Sequence, residues 1–297
     1  MNDILYDIQL KIRDKILFDY DMGNSTWFRA GGKAKGYIVI NNLEDLKTIV
    51  DYADKIKYTI TGVGSNLLVR DSGYDGLIIK LGKSFNKIKI KNNILSVGAG
   101  VLDLNLAKFA LKNSIKDFEF FTGIPGTIGG AVTMNAGCYG AQTSDNLNRI
   151  LLLNSKGAIK YVCSDELNLK YRSSNIEKNS IILQADFNFE YSSQEKILLK
   201  NNYIKSKRKE TQPIKEKTSG STFKNPKGRF AAELIEKAGC KGMKVGDASV
   251  SHMHSNFIIN NGSATASDIE NLGKKVKKRV KEVHGIDLEW EIKILGD

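Results

Sequence analysis

The chain has 297 residues, with 45 Lys and Arg against 33 Asp and Glu, a formal charge of +12. That length supports two or three domains, and the lack of any apolar run of about eighteen residues excludes a membrane-spanning helix. Cys138, Cys163 and Cys240 show no CxxC spacing and no local histidine partner, which excludes a disulfide framework and a cysteine-built zinc centre.

The N-terminal MNDILYDIQLKIRDK is charged throughout, so no signal peptide and a cytoplasmic location are expected. Residues 37–60 read as strand, helix, strand: Asn42 with Asp45 can cap a helix whose apolar positions are Leu43, Leu46, Ile49, Val50 and Ala53. Leu77 to Lys80 reads as a buried strand. Lys87 to Val97 reads as a hairpin, in which KIKIK alternates, Asn92-Asn93 turns and ILSV returns. A helix follows over 101–112. Residues 149–153 and 158–162 form a second hairpin around Asn154 to Gly157, and 181–191 a long strand. Residues 193–209 form a polar helix joining two halves. Beyond it the pattern predicts a helix over 231–238 ended by Gly239, strands near Ser249 and over 257–260, and a helix over 266–284 with Ser267 and Glu270 as its capping box. A strand over 288–295 closes the chain. Strands in runs with helices between them make an α+β protein. The run Lys274, Lys275, Lys277, Lys278, Arg279 and Lys281 shares the long helix with an apolar stripe of Leu272, Val276, Val280 and Val283, so it reads as a solvated face. No aromatic platform accompanies it, and nucleic acid is not an expected partner.

Two glycine-rich stretches stand out. FTGIPGTIGGAVTMNAGCYG, residues 121–140, holds six glycines and one of only three prolines. Such a backbone approaches a ligand closely and can aim several N–H groups at phosphate oxygens; a packed turn explains one or two of these glycines and leaves the rest. TGVGSNLLVRDSGYDG, residues 61–76, places Gly62, Gly64, Ser65 and Asn66 in a small, donor-rich loop. It is not a Rossmann fingerprint, because the spacing fails at Leu67, and no Walker Gly-Lys-Ser/Thr occurs. Two such loops suggest a large phosphate-bearing cofactor held mainly by backbone. This half contains no histidine, so no histidyl-linked cofactor is expected there.

Among residues suited to chemistry, GSTFKNP at 220–226 places Ser221 after a glycine and adds Lys224 and Asn225. The spacing alone admits both a phosphate site with a proton donor and an ordinary turn closed by Asn-Pro. Arg172, in YRSS, suits a bidentate carboxylate, with a surface pairing to Glu166 as the alternative. Period-two alternation puts Glu289, Glu291 and Lys293 on one face of the last strand and Trp290, Ile292 and Ile294 on the other; a carboxyl there is an acid candidate only if that face borders a cleft. His252 and His254 lack a third ligand, so no metal site is expected.

Taken in order, TGVGSNLLVRDSGYDG, GIPGTIGGAVTMNAGCYG, YRSS, GSTFKNP, AAELIEKAGCKGMKVGDASVSHMHSNFIIN and LEWEIKILG resemble the UDP-N-acetylenolpyruvoylglucosamine reductase family of bacterial cell-wall precursor synthesis. The resemblance runs from about Asn24 to the C-terminus. It implies an FAD-binding domain of the vanillyl-alcohol-oxidase (PCMH) type within 1–192 (core about 24–192), a connecting helix over 193–212 and a smaller α+β substrate domain over 213–297. It implies non-covalent FAD, NADPH as reductant, and UDP-N-acetylglucosamine enolpyruvate as substrate, with no obligate protein partner. Carried over by motif, Arg172, Ser221 and Glu291 are catalytic, and Arg172, Lys224 and Asn225 bind substrate. Gly62, Gly64, Ser65, Asn66, Leu67, Gly123, Ile124, Pro125, Gly126, Thr127, Gly129, Gly130 and Ala131 hold the cofactor. The chain departs from the family pattern at Ile176, where phenylalanine is usual, and at Trp290, where proline is frequent; Trp290 favours a continuous strand with Glu291 in register. The segment before GSTFKNP is too short for the family's inserted tyrosine loop, leaving Tyr139 and Tyr203 as candidates for covering a diphosphate. The alternatives weighed are an FAD oxidase of the same superfamily, a non-catalytic sugar-nucleotide binder and a nucleic-acid binder.

Overall fold

The computed structural model describes residues 2–297 and separates into two compact units that interleave along the chain. The first comprises the stretch ending at Phe18, Gly36–Gly62 and Gly76–Lys207; the second comprises Asp19–Lys35, Val63–Asp75 and Arg208–Asp297. A linear division at 192 and 213 therefore differs from the packing: 19–35 and 63–75 belong with the C-terminal residues, and most of the long polar helix belongs with the first unit.

Helix α1 (Asn2–Lys11) and the strand Leu17–Asp21 cover a stretch the sequence patterns leave unassigned. Leu17–Asp21, Lys33–Ile40, Tyr74–Leu81 and Tyr58–Thr61 form a four-stranded sheet in that order, with Tyr58–Thr61 parallel to Leu77–Lys80. Helix α2 (Leu43–Val50) starts as its sequence demands: the Asn42 side chain accepts the N–H of Asp45 at 2.8 Å. A second, antiparallel sheet runs Ile159–Cys163, Leu147–Leu153, Ile181–Asn188, Ile94–Gly98, Ile88–Lys91. Both predicted hairpins lie in it. Asn92 and Asn93 take φ of 51° and 57°, the left-handed pair that a tight two-residue hairpin requires and asparagine tolerates. The expected strand to Tyr191 stops at Asn188. Helices α3 (Asp103–Lys112), α4 (Ile128–Thr133) and α5 (Gln194–Thr211) follow in the chain. Alternating inward residues such as Leu95, Val97, Ile150, Leu152, Ala185 and Phe187 join Leu106, Ile128 and Val132 in one buried cluster, as strand and helix periods require.

The second unit has its own core. Helix α6 (Ala231–Lys237) and helix α7 (Ala266–His284) supply Leu234, Ile235, Ile269, Leu272, Val276 and Val280 to a cluster with Phe28, Leu68, Phe223 and Val250. Val283, expected on that stripe, is exposed. The capping box of α7 is Thr265 with Asp268, not Ser267 with Glu270. The Asp71 carboxylate takes the N–H groups of Ala266 and Ser267 at 2.9 and 2.8 Å, so the helix spans 266–284 as expected while its N-cap lies two residues before the motif-based one. Lys244–Val245, Ala248–Val250 and Ile258–Asn260 form a three-stranded antiparallel sheet. The expected closing strand is interrupted: Trp290 pairs with Phe223, the chain bends at Ile292, and Lys293–Leu295 pairs in parallel with Leu67–Val69.

Candidate active site

In the first unit the glycine-rich loop is pinned along one edge. Asp103 N–H donates to Gly126 O at 3.1 Å, Ile128 N–H to Val101 O at 2.9 Å and Gly129 N–H to Ala99 O at 2.9 Å. Leu102 and Thr127 between them form a bridge of the kind whose own N–H groups point away from the partner. Among the described residues, the N–H groups of Gly126 and Thr127 have no hydrogen-bond partner. Gly62 closes the other side, because a Cβ there would lie 2.6 Å from Thr127 Oγ1. A narrow cradle of backbone donors and small side chains results. No charged side chain lies on residues 123–131. These residues fit the diphosphate of a dinucleotide such as FAD, which backbone N–H groups can bind without a cationic side chain.

Arg172 stands on a tight turn docked against the end of that stretch. Lys170 and Ser173 exchange backbone hydrogen bonds at 3.0 and 3.1 Å, and Arg172 at the corner takes φ of 53°. A non-glycine residue in this region carries strain, a reason to look for function. The turn is anchored by Ser174 Oγ donating to Thr133 O at 2.7 Å and Asn135 Nδ2 to Lys170 O at 3.3 Å. Arg172 itself donates from Nη2 to Gly137 O at 3.0 Å, and its guanidinium lies 5.1 Å from the Tyr171 ring centroid. Tyr139 meets Tyr203 of α5 edge to face at 6.5 Å.

In the second unit GSTFKNP pairs with the last segment of the chain. Glu291 N–H donates to Thr222 O and Lys224 N–H to Glu289 O, both at 2.9 Å. Phe223 and Trp290 stack with centroids 4.9 Å apart, so alternation sends Thr222 and Glu291 to the opposite face. Ser221 is one residue from the partner of Glu291 and forms a bridge with Phe257. Gly220 before it takes φ of 76°, the conformation glycine supplies at least cost, and turns Ser221 into the ladder. Lys224 Nζ lies 3.4 Å from Glu289 Oε2, and Asn225 Oδ1 accepts the N–H of Ala231 at the start of α6 at 2.9 Å.

The two glycine-rich stretches divide between the units. Gly62 and Gly123 to Ala131 fall in the first unit, Gly64 to Leu67 in the second with Ser221 and Glu291. There Asn66 Nδ2 donates to Glu291 O and Lys293 N–H to Asn66 O, both at 3.0 Å. Asn66 thus fixes the backbone on either side of the bend. Asn256, which the motif reading leaves out, holds the other strand: its carboxamide accepts Phe223 N–H at 3.0 Å and donates to Phe223 O at 2.8 Å. A buried Asn that completes a strand's backbone bonding gives no periodic signal. The hydroxyls of Thr218, Ser219 and Thr222 are buried with no partner among the described residues, a concentration of unmet polar groups beside Ser221.

Residues 34–162 match the FAD binding domain family, and residues 212–295 match the UDP-N-acetylenolpyruvoylglucosamine reductase C-terminal domain. The chain is 47% identical over 279 residues to the UDP-N-acetylenolpyruvoylglucosamine reductase of Rickettsia conorii, covering 94% of this chain and 95% of the relative. It is 46% identical over the same length to that of Rickettsia prowazekii, with the same coverage. The crystal structure of the reductase from Thermus caldophilus superposes with a TM-score of 0.83 at 33% identity, covering 96% of this chain and 99% of that one.

Proposed function

Because the chain belongs to the UDP-N-acetylenolpyruvoylglucosamine reductase family, we propose that Arg172, Ser221 and Glu291 carry its reaction. The enzyme is an FAD-dependent oxidoreductase of peptidoglycan precursor synthesis, and NADPH is its reductant. When bound, FAD supplies the hydride that is added to the terminal vinyl carbon of UDP-N-acetylglucosamine enolpyruvate. Negative charge then spreads from C2 into the carboxylate. The Arg172 guanidinium grips that carboxylate and stabilises the developing charge, which a preorganised cation does better in a dry site than in water. Glu291, as the acid, donates to the same oxygens. Ser221 gives its proton to C2, and proximity compensates for the weak acidity of a hydroxyl. Lys224 and Asn225 bind the sugar-nucleotide diphosphate, Lys224 exchanging its contact with Glu289 for a phosphate. Gly62, Gly64 to Leu67 and Gly123 to Ala131 hold the flavin.

The observation that carries this reading is the backbone pairing of GSTFKNP with the last segment of the chain, Glu291 N–H to Thr222 O and Lys224 N–H to Glu289 O, which supports a shared role for the two segments that carry Ser221 and Glu291. Among the described residues no helix is long and apolar enough to cross a membrane; a cytoplasmic location follows from the pathway. The test is anaerobic. NADPH bleaches the flavin absorption of the purified protein, and the enolpyruvyl sugar nucleotide restores it. Return of colour with oxygen but not with that substrate would favour an oxidase instead.

A further inference from the structure

Asp103 has no part in the reaction as described. It begins α3, yet its side chain is fully buried, and neither carboxyl oxygen has a hydrogen-bond partner among the described residues. Its backbone N–H holds Gly126 O at 3.1 Å. Its Oδ2 lies against the same residue, so closely that a Cβ on Gly126 would be 2.5 Å away. The carboxyl therefore sits against the turn whose N–H groups at Gly126 and Thr127 are without partners among the described residues. An ionised carboxylate buried without a partner is costly. Burial pushes the Asp103 acid well above the usual carboxylate range, with no charged neighbour opposing it.

The surroundings supply nothing else to set its charge. Ala99 to Leu102, Ile124 to Thr127 and α4 carry no titratable side chain. On the 3-10 turn Glu119–Gly123 that packs against α3, Glu119 is buried and paired with Lys200 at 3.2 Å. On α3 itself Lys108 and Lys112 are exposed.

We propose that Asp103 is a positioning residue for the flavin: its buried carboxyl packs against the Pro125 to Thr127 turn and leaves the donors of that turn free to bind an anionic diphosphate. Loss of the proton would place a negative charge against that turn and oppose the diphosphate. The proposal rests on the reading that the Gly123 to Ala131 loop holds the FAD. Binding and protonation are then linked: FAD is held most tightly at low pH, and its affinity falls as pH rises through the titration of Asp103.

The experiment follows flavin released on dilution of the holoenzyme, by fluorescence, across the whole pH range in which the protein stays folded, since burial moves the carboxyl's titration upward. Wild-type affinity should fall by up to about tenfold per pH unit at the alkaline end. Asp103→Asn and Asp103→Leu, neutral at every pH, should lack that fall. A protonated-carboxyl infrared band of the wild-type holoenzyme at neutral pH should be lost in the difference spectrum of either variant that folds. Identical pH profiles in wild type and a neutral variant, or no carboxyl band lost on substitution, would overturn the proposal. Gly126→Ala tests the underlying reading separately: it should weaken FAD at all pH values. Wild-type affinity in that variant would remove the loop from the flavin site and the proposal with it, whatever Asp103 does.

Discussion

Arg172 occupies a backbone corner that glycine would fill without strain, and it is held there by its own hydrogen bond to Gly137 and by the anchoring of Ser174 and Asn135. On the proposed reading, the planar, five-donor guanidinium at that φ outweighs a relaxed turn. Arg172→Lys keeps the charge and loses the fork. Turnover should drop about 10²-fold or more, the scale for removing one preorganised donor to a developing oxyanion. The flavin spectrum and thermal midpoint should stay unchanged; turnover within a few-fold of wild type would reject the carboxylate clamp. The groups proposed to react, Arg172, Ser221 and Glu291, stand out in the sequence through their motifs. Asp103 does not, because an acid in the first turn of a helix ordinarily faces water and favours the N-terminus, and only the packing of Gly126 over it shows otherwise. Asn66 carries a contact that no local pattern announces: its carboxamide secures the Glu291 carbonyl.

The strands and helices with local signals formed where the patterns put them. Asn92-Asn93 and the Asn42 cap are such cases, since backbone geometry there depends on two to four neighbouring residues. The capping of α7 and the closing strand depart from the reading because distant residues decide them: Asp71 takes the first N–H groups of α7, and Leu67–Val69 captures Lys293–Leu295 after the bend. Helix α7 offers a contest of two local effects. Gly273 lies mid-helix, where alanine ordinarily gains about 1 kcal/mol. A Cβ there, however, would lie 2.0 Å from the Trp290 ring, and overpacking of this kind costs about 1–3 kcal/mol. Packing should win: Gly273→Ala should lower the urea midpoint. Because Trp290 pairs with Phe223 beside Ser221, it should also slow reoxidation by substrate. A raised midpoint would mean that Trp290 moves aside freely.

At the scale of the molecule, the interleaving of 19–35 and 63–75 with the C-terminal residues had no sequence signature, since composition and periodicity do not report which distant segments share a core. One ion pair ties such segments within the second unit. Arg70 Nε meets Glu270 Oε2 at 2.9 Å, and Lys274 reaches the same carboxylate at 2.8 Å. The Arg70 hydrogen bond holds the Glu270 acid down at about 2. A depressed carboxyl contributes stability that is present above its unfolded value of about 4.3 and lost as pH falls towards 2. Glu270→Gln should therefore cost about 1–3 kcal/mol at neutral pH, allowing for screening at the partly exposed Arg70. That difference should shrink on acidification below pH ~4; a difference unchanged down to pH ~2.5 would show that the pair does not govern the acid limb. The central claim concerns Ser221, and the two half-reactions of Ser221→Ala followed separately under anaerobic conditions test it most directly. Bleaching of the flavin by NADPH should proceed at nearly the wild-type rate, while recovery of absorption with the enolpyruvyl sugar nucleotide should be abolished. Equal slowing of both, or normal recovery, would contradict a proton delivered to C2 by this hydroxyl.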